Sequence, residues 1–441
     1  MSVIHDFLHV LVGHVTVDEA HSAVNGNRLF GARAMPKDNG PELQTEHLTL
    51  PATPDFWTYS AEVPLASVTP DASGVMVSWK DGTSAHFNTF MLRENSVTDG
   101  GVDPVTRERV FDISLVSELL AVQSASIDER GSLVVTFSPD GARLRYHPGW
   151  LLSVANRQWL PNTYVPAPIS WNAADMREPV SFDGPTVLSD DAALSEWLVA
   201  TQAYGLSRLR GLGSDAGVVE QVAGKVGVIR SSNFGFLFDV ESKPDPDSTA
   251  YTSGALVGHT DLPTREVPPG FQILHCRQNT CVDGHSTMAD GFRITEDLKA
   301  DDPDAYEALA TIPWVFGNRH RGSDYRYTRP VLELMPDGRF SRVHMFTGVR
   351  MYPDADGKDV ERAYRSLRIF MRLVADERYI CRYPFAPGDL VIFDNNRVLH
   401  GRDSFDPSAG VRQLRGCYLD RDEILSRLRV LARDGYLQAA E

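Results

Sequence analysis

The triplet His259-Thr260-Asp261, with a further imidazole far downstream at His400, constrains this chain more than any other stretch. In an extended segment residues i and i+2 point to the same face, so His259 and Asp261 can present one imidazole and one carboxylate to a common point. His400 joins them only in a fold that brings two distant segments together. Two imidazoles and one carboxylate with open positions left over form the ligand set of non-haem Fe(II) oxygenases. A chain with 13 His and 59 Asp plus Glu contains such triplets by chance, so the surrounding sequence has to decide.

The 441 residues suffice for two or three domains, or for one large domain with an added module. A hydrophobic content of 42% and a charged content of 23% are those of an ordinary globular protein with a large core. The formal net charge of −16 argues against nucleic acid and anionic membrane surfaces as partners. No apolar run reaches the length of a membrane span. The N-terminus, Met1-Ser2-Val3-Ile4-His5-Asp6, lacks a basic stretch followed by an apolar core, so no secretory signal is expected. Cys276, Cys281, Cys381 and Cys417 form no CxxC pair, which fits free thiols and a cytoplasmic location.

Residues 1–45 carry turn chemistry at Asn25-Gly26-Asn27 and Pro36 to Pro41 and read as an extension. Residues 46–160 read as a small β-rich module. The run Gly74 to Trp79 meets Asp81-Gly82 and a second strand through Phe87, and Leu133 to Phe137 meets Asp140-Gly141 in the same way. Proline density over 161–185 predicts an extended linker, and residues 186–441 predict a second, larger domain. Within it Asp359 to Ala375 has the spacing of an amphipathic helix. Pro387-Gly388-Asp389 leads into the apolar strand Leu390-Val391-Ile392-Phe393, and a last helix is expected over Arg421 to Ala432.

The ordered motifs Pro387-Gly388-Asp389, Phe393-Asp394-Asn395, Leu399-His400-Gly401-Arg402 and Arg412-x-Leu-x-Gly-x-Tyr418 resemble those of the γ-butyrobetaine and trimethyllysine hydroxylases. These are Fe(II)/2-oxoglutarate dioxygenases of the taurine dioxygenase superfamily. Tyr251, His259-Thr260-Asp261, Pro268-Pro269-Gly270 and Asp290-Gly291-Phe292 stand in the same order upstream. Trp79-Lys80-Asp81-Gly82 is similar to part of the family's N-terminal module, and the resemblance covers about residues 65–435. It implies an α+β, mainly β chain: a double-stranded β-helix (jelly roll) core with flanking helices, plus the small N-terminal module. The implied iron ligands are His259, Asp261 and His400, and the implied cosubstrates are 2-oxoglutarate and O2. Arg412 would hold the distal carboxylate of oxoglutarate, for which a guanidinium offers a matched fork. Ser286 is placed either to assist it or as a plain turn serine, and Arg402 is read as structural support. A homodimer and a small-molecule substrate complete the implied picture.

The chain departs from the family in three places. The N-terminal module has no cysteine before Cys276, so no structural zinc is expected. The aromatic cage that takes a trimethylammonium group by cation–π attraction is represented by Phe234, Phe238, Tyr251 and Tyr418. For Phe234 and Phe238 a core role stands level with a pocket role. Ser248 replaces an expected Asn at the end that grips the substrate carboxylate, and Met345-Phe346-Thr347-Gly348 replaces an Asn-rich segment, which makes Thr347 a candidate substrate contact. The stretch Asn318-Arg319-His320-Arg321 is either a site for an anionic group such as a phosphonate or a solvated loop.

The expected activity is hydroxylation of an unactivated C–H in a small amine or quaternary-ammonium substrate, with release of succinate and CO2. Alternatives are a natural-product tailoring oxygenase of the same class acting on another scaffold by hydroxylation, desaturation or rearrangement, a non-catalytic jelly-roll binding protein, and a zinc hydrolase. The last two give no role to the full set of His259, Asp261, His400 and Arg412.

Overall fold

The computed structural model describes residues 49–157, 165–241, 252–320 and 322–436. The expected extension over 1–45 and two expected pocket residues, Ser248 and Tyr251, lie outside the described residues.

Both Asp-Gly hairpins form. Gly74–Trp79 pairs with Ser84–Asn88, and Leu133–Ser138 pairs with Arg143–Tyr146. The turn glycines Gly82 and Gly141 have φ of 93° and 72°, a region open to a residue without Cβ. Leu65–Pro70 joins the first hairpin and Ala121–Ile127 the second, giving a pair of three-stranded sheets. Val75, Val77 and Trp79 alternate inward and meet Leu133, Val135 and Phe137 in a core of their own.

The stretch expected as a linker, 161–185, is built into the body from Trp171 onward. Prolines keep its backbone irregular, but Trp171 and Met176 between them are buried. Trp171 is 1% exposed, and its indole N–H donates to the Tyr204 carbonyl at 2.8 Å. Val180–Asp183 then pairs in parallel with Leu206–Arg210.

Two larger sheets carry the site. The seven-stranded sheet runs, in spatial order, Leu237–Glu241, Arg412–Leu419, Phe271–Asn279, Leu390–Asp394, Leu206–Arg210 and Val180–Asp183, with Ile229–Arg230 added against Arg412–Leu419. The four-stranded sheet runs Leu256–His259, Val398–Arg402, Ser286–Asp290 and Ile380–Tyr383. Strand alternation divides the side chains of the larger sheet. Ile273, Leu390, Ile392, Cys417 and Leu419 pack with residues of the helices Asp191–Tyr204, Val218–Val226 and Arg421–Arg433. Val391, Phe393 and Leu414 pack instead with Met288, Cys381 and Val398 of the smaller sheet. Leu390 to Phe393 is thus buried on both faces, which is why it reads as an unbroken apolar run. The chain is mixed α+β and mostly sheet in the region that bears the site.

The amphipathic helix forms as Lys358–Val374, and Ala363, Leu367, Phe370 and Val374 share a second core with the helices Gly291–Asp301 and Pro303–Thr311. Asp290-Gly291-Phe292 is the point where a strand passes into a helix: the Asp290 carboxylate accepts from the Phe292 N–H at 3.0 Å and caps it. One local expectation, that for Asn318 to His320, changes: these residues belong to a strand, Trp314–His320, which pairs with Ser323–Arg329. Trp314 and Phe316 anchor that hairpin in the core. Among the described residues no helix is long and apolar enough to cross a membrane.

Candidate metal centre and its cavity

Strands Leu256–His259 and Val398–Arg402 are antiparallel neighbours, and the register sets His259 directly opposite His400. Their rings lie 4.2 Å apart. The next residues leave the strand and are pinned at each step. The Thr260 N–H donates to the Met345 carbonyl at 2.7 Å, and its Oγ1 accepts from the Met345 N–H at 2.9 Å. The Asp261 N–H donates to Asn395 Oδ1 at 2.6 Å, and Asn395 Nδ2 donates back to the Asp261 and Pro269 carbonyls at 3.0 and 3.1 Å. Leu262 then takes a φ of 56°, a left-handed conformation that costs a non-glycine residue roughly 1–2 kcal/mol. These contacts hold the turn and present the Asp261 carboxylate to the two imidazoles.

Oδ1 of Asp261 stands 3.3 Å from His259 Nε2 and 3.6 Å from His400 Nε2. Each residue offers one donor atom, and the three lie within 4.8 Å of one another. Among the described residues this is the cluster of His, Cys, Asp and Glu with metal-binding geometry. His259 Nδ1 is 3.0 Å from the Val257 carbonyl, which fixes the proton there and leaves the Nε2 lone pair free. Burial pushes the His400 imidazole down to about 3, with neighbouring His259 adding to it, so His400 is neutral at physiological pH. Burial alone would raise the Asp261 carboxyl. The His400 and His259 imidazoles and the Tyr418 hydroxyl outweigh it and hold the group well below the usual carboxylate range. Phe346 packs on His259 and Phe393 on His400, each at 4.6 Å between ring centres.

The centre opens into a cavity of about 460 Å³. At one side Arg412, 7% exposed, reaches Ser286 Oγ with Nη2 at 3.4 Å, while its Nε has no partner. Burial lowers its pKa, outweighing the opposing influence of nearby Cys276, Tyr383 and Cys281. Arg402, also 7% exposed, donates to the Thr252 and Gly254 carbonyls at 2.7 Å each and likewise leaves Nε unpartnered. Burial and the neighbouring Arg412 push it down to about 10. Two buried guanidiniums, with no carboxylate between them among the described residues, make a site for an anion with several oxygens. Elsewhere in the wall Phe238 lies 5.0 Å from Tyr418 and 6.0 Å from Phe234, so the three rings form one aromatic surface.

The structure thus brings His259, Asp261, His400, Arg412, Ser286, Phe234, Phe238 and Tyr418 to one cavity. It does not bring Thr347. That residue is exposed, because the Val349 and Arg350 N–H groups both turn back to the Phe346 carbonyl (3.2 and 3.0 Å) and swing Thr347 outward. Phe346, Gly348 and Val349 line the wall in its place. Arg402, read from sequence as support, also lines the cavity, a placement that its spacing of two from His400 along a strand encodes. Thr264 and Gln272 carry no local signal of their role, yet they too face the cavity, as does Asn318 from the stretch read as either an anion site or a solvated loop.

The model of the family described as "Taurine catabolism dioxygenase TauD, TfdA family" matches residues 165–418. The chain is 41% identical over 383 residues to the gamma-butyrobetaine dioxygenase of Pseudomonas sp. (strain AK-1), covering 87% of this chain and 100% of that one. It is 27% identical over 369 residues to the gamma-butyrobetaine dioxygenase of Homo sapiens, covering 81% and 94%. Identity to the mitochondrial trimethyllysine dioxygenase of Gallus gallus is 28% over 360 residues, covering 79% and 84%.

Proposed function

The chain belongs to the taurine catabolism dioxygenase TauD, TfdA family, and from that premise we propose that it hydroxylates an unactivated C–H bond of a small quaternary-ammonium compound. It is a 2-oxoglutarate-dependent non-haem iron dioxygenase. We read its two facing sheets as the double-stranded β-helix, with the metal at one end.

The residues fit the cofactors. His259 Nε2, His400 and Asp261 Oδ1 converge as two imidazole nitrogens and one hard oxygen, a donor set suited to Fe(II). Arg412 supplies the buried cation for the distal carboxylate of oxoglutarate, Ser286 stands beside it, and Arg402 adds positive charge on the same side. Bound together with O2, iron and oxoglutarate supply the oxidant that takes hydrogen from carbon and returns hydroxyl, leaving succinate and CO2. The protein's part is positional. Asn395 and Thr260 lock the ligand-bearing turn, Tyr418 orients the carboxylate, and Leu262 and Phe346 wall the centre against water. Phe234, Phe238 and Tyr418 offer π faces to a quaternary nitrogen, which needs no hydrogen-bond partner.

The observation that carries this reading is the buried Arg412, which has no carboxylate partner among the described residues, beside a complete two-imidazole, one-carboxylate set. The test is to purify the protein anaerobically, supply Fe(II), 2-oxoglutarate and O2, and measure succinate across a panel of quaternary-ammonium compounds. Succinate formation that depends on one of them, and that disappears together with iron binding in His259→Ala, is the expected result. No compound-dependent succinate across the panel would sink the proposal.

A further inference from the structure

Resting on that reading of the cavity, we infer that Arg265 is the cation that selects substrates bearing an oxyanion at the end remote from the quaternary nitrogen. Arg265 follows directly on the metal-site turn. Its guanidinium stacks on Tyr325, with Cζ 3.6 Å from the ring centre, and its Nη2 lies 3.4 Å from Asn233 Oδ1. Asn233 is part of the cavity wall, and Tyr325 is the direct cross-strand partner of Asn318, which is another part. The stack and the amide fix the guanidinium without neutralising it. Arg326, Arg342 and Arg415 each have a carboxylate within ion-pair distance, whereas Arg265 has none among the described residues.

An independent observation lies next to it. Thr264 is 2% exposed and forms part of the wall, yet its Oγ1 has no hydrogen-bond partner among the described residues. Buried hydroxyls are rarely left so, and a ligand oxygen entering beside Arg265 would satisfy it. Charge balance points the same way. The described wall carries the two guanidiniums of Arg402 and Arg412 against the single carboxylate of Asp261. Fe(II) and the oxoglutarate dianion cancel, so a positive excess remains before Arg265 is counted. A bare cation enters against that excess, whereas a zwitterion brings its own anion. The aromatic surface takes the nitrogen end, and the Arg265 fork with the Thr264 hydroxyl takes two oxygens of the other. Arg265 thereby supplies a grip that Thr347, turned outward from the cavity, does not.

The experiment compares binding of butyltrimethylammonium with its ω-carboxylate, ω-sulfonate and ω-phosphonate counterparts. Calorimetry is run on protein loaded with Mn(II) and 2-oxoglutarate without O2. At least one zwitterion is expected to bind the unaltered protein about tenfold or more tighter than the bare cation. In Arg265→Gln that advantage falls to within about threefold, and Thr264→Val lowers it in part. The bare cation binds Arg265→Gln and the unaltered protein alike, which also shows that the altered cavity is folded. An advantage retained in Arg265→Gln, or no zwitterion bound more tightly than the bare cation by the unaltered protein, overturns the assignment. Succinate assays on the same compounds separate the two levels. A binding preference lost with Arg265 but unaccompanied by succinate from any of them would sustain the role of Arg265 and sink the oxygenase reading beneath it.

Discussion

The Tyr418 hydroxyl donates to Oδ2 of Asp261 at 2.7 Å, while Oδ1 of the same carboxylate faces both imidazoles at 3.3 and 3.6 Å. One oxygen is committed to the protein and the other is left for a metal. Asp261 is therefore built as a one-oxygen ligand of fixed orientation.

Tyr418→Phe keeps the ring and removes that donor. Supporting hydrogen bonds of this kind are worth about 10- to 100-fold in metal affinity, so the Fe(II) dissociation constant should rise by that factor with the fold intact. Anaerobic metal titration reads it directly. An unchanged constant would mean that Oδ2 plays no part in aiming the ligand.

Arg412→Gln removes the buried cation and leaves the ligand set alone. The KM for 2-oxoglutarate should rise by about 100-fold, or saturation should be lost, while metal affinity stays within about twofold. Steady-state succinate formation against oxoglutarate concentration, beside a metal titration, separates the two. Equal losses in both would place Arg412 in the integrity of the centre.

Asp290 and Arg397 are 0% and 2% exposed in side chain and joined by bonds of 2.9 and 2.8 Å. Asp290 also accepts from the Trp171 N–H, while Arg397 reaches the Ala203 and Ile169 carbonyls. Breaking such a pair strands a buried charge, at a cost of about 3–5 kcal/mol. Urea unfolding of Asp290→Ala should show that loss, and Asp290→Ala with Arg397→Met should recover much of it. A single variant within about 1 kcal/mol of the parent would show that water reaches the guanidinium.

His344 Nε2 lies 2.8 Å from Glu333 Oε2. Burial pushes the imidazole from 6.5 down to about 4, with nearby Arg329 acting the same way, so native His344 is neutral and donates to Glu333. The unfolded chain binds this proton near the ordinary value. Between the two values the unfolded state holds more protons, and stability falls as pH is lowered through that window, by up to about 3 kcal/mol. Glu333, held below its ordinary value chiefly by the bond to His344, acts in the same direction, its contribution being lost as pH falls through the native pKa. Thermal melting from pH 7 to 4 should show a shallower fall for His344→Gln. Parallel curves would exclude His344 as the titrating group.

The parts of this structure that could be read in the sequence are those whose signal is local or carried by ordered motifs. Asp81-Gly82 and Asp140-Gly141 demand a positive φ at the turn, and both hairpins are there. Lys358–Val374 shows its buried face in its spacing. Thr347 shows the limit, because a turn's sequence does not tell which residue it points at the cavity. The Trp314 hairpin was obscured by its polar far end, while the burial of Trp314 and Phe316 is set by distant partners such as Phe370. Trp171 was hidden for the same reason among prolines. Arg402 was within reach, since a strand that aims His400 at the centre aims the residue two later to the same side.

The direct pairing of His259 with His400 has a further consequence. Side chains change sides at every residue of a strand, so a slip of one position between Leu256–His259 and Val398–Arg402 would turn one imidazole away from the other. A metal ion recognises the aligned ladder alone. It stabilises that alignment by an amount that grows with the logarithm of its concentration over its dissociation constant. The ion needed for chemistry is then also a proofreader of strand alignment, holding the two sequence-distant strands to their shared register.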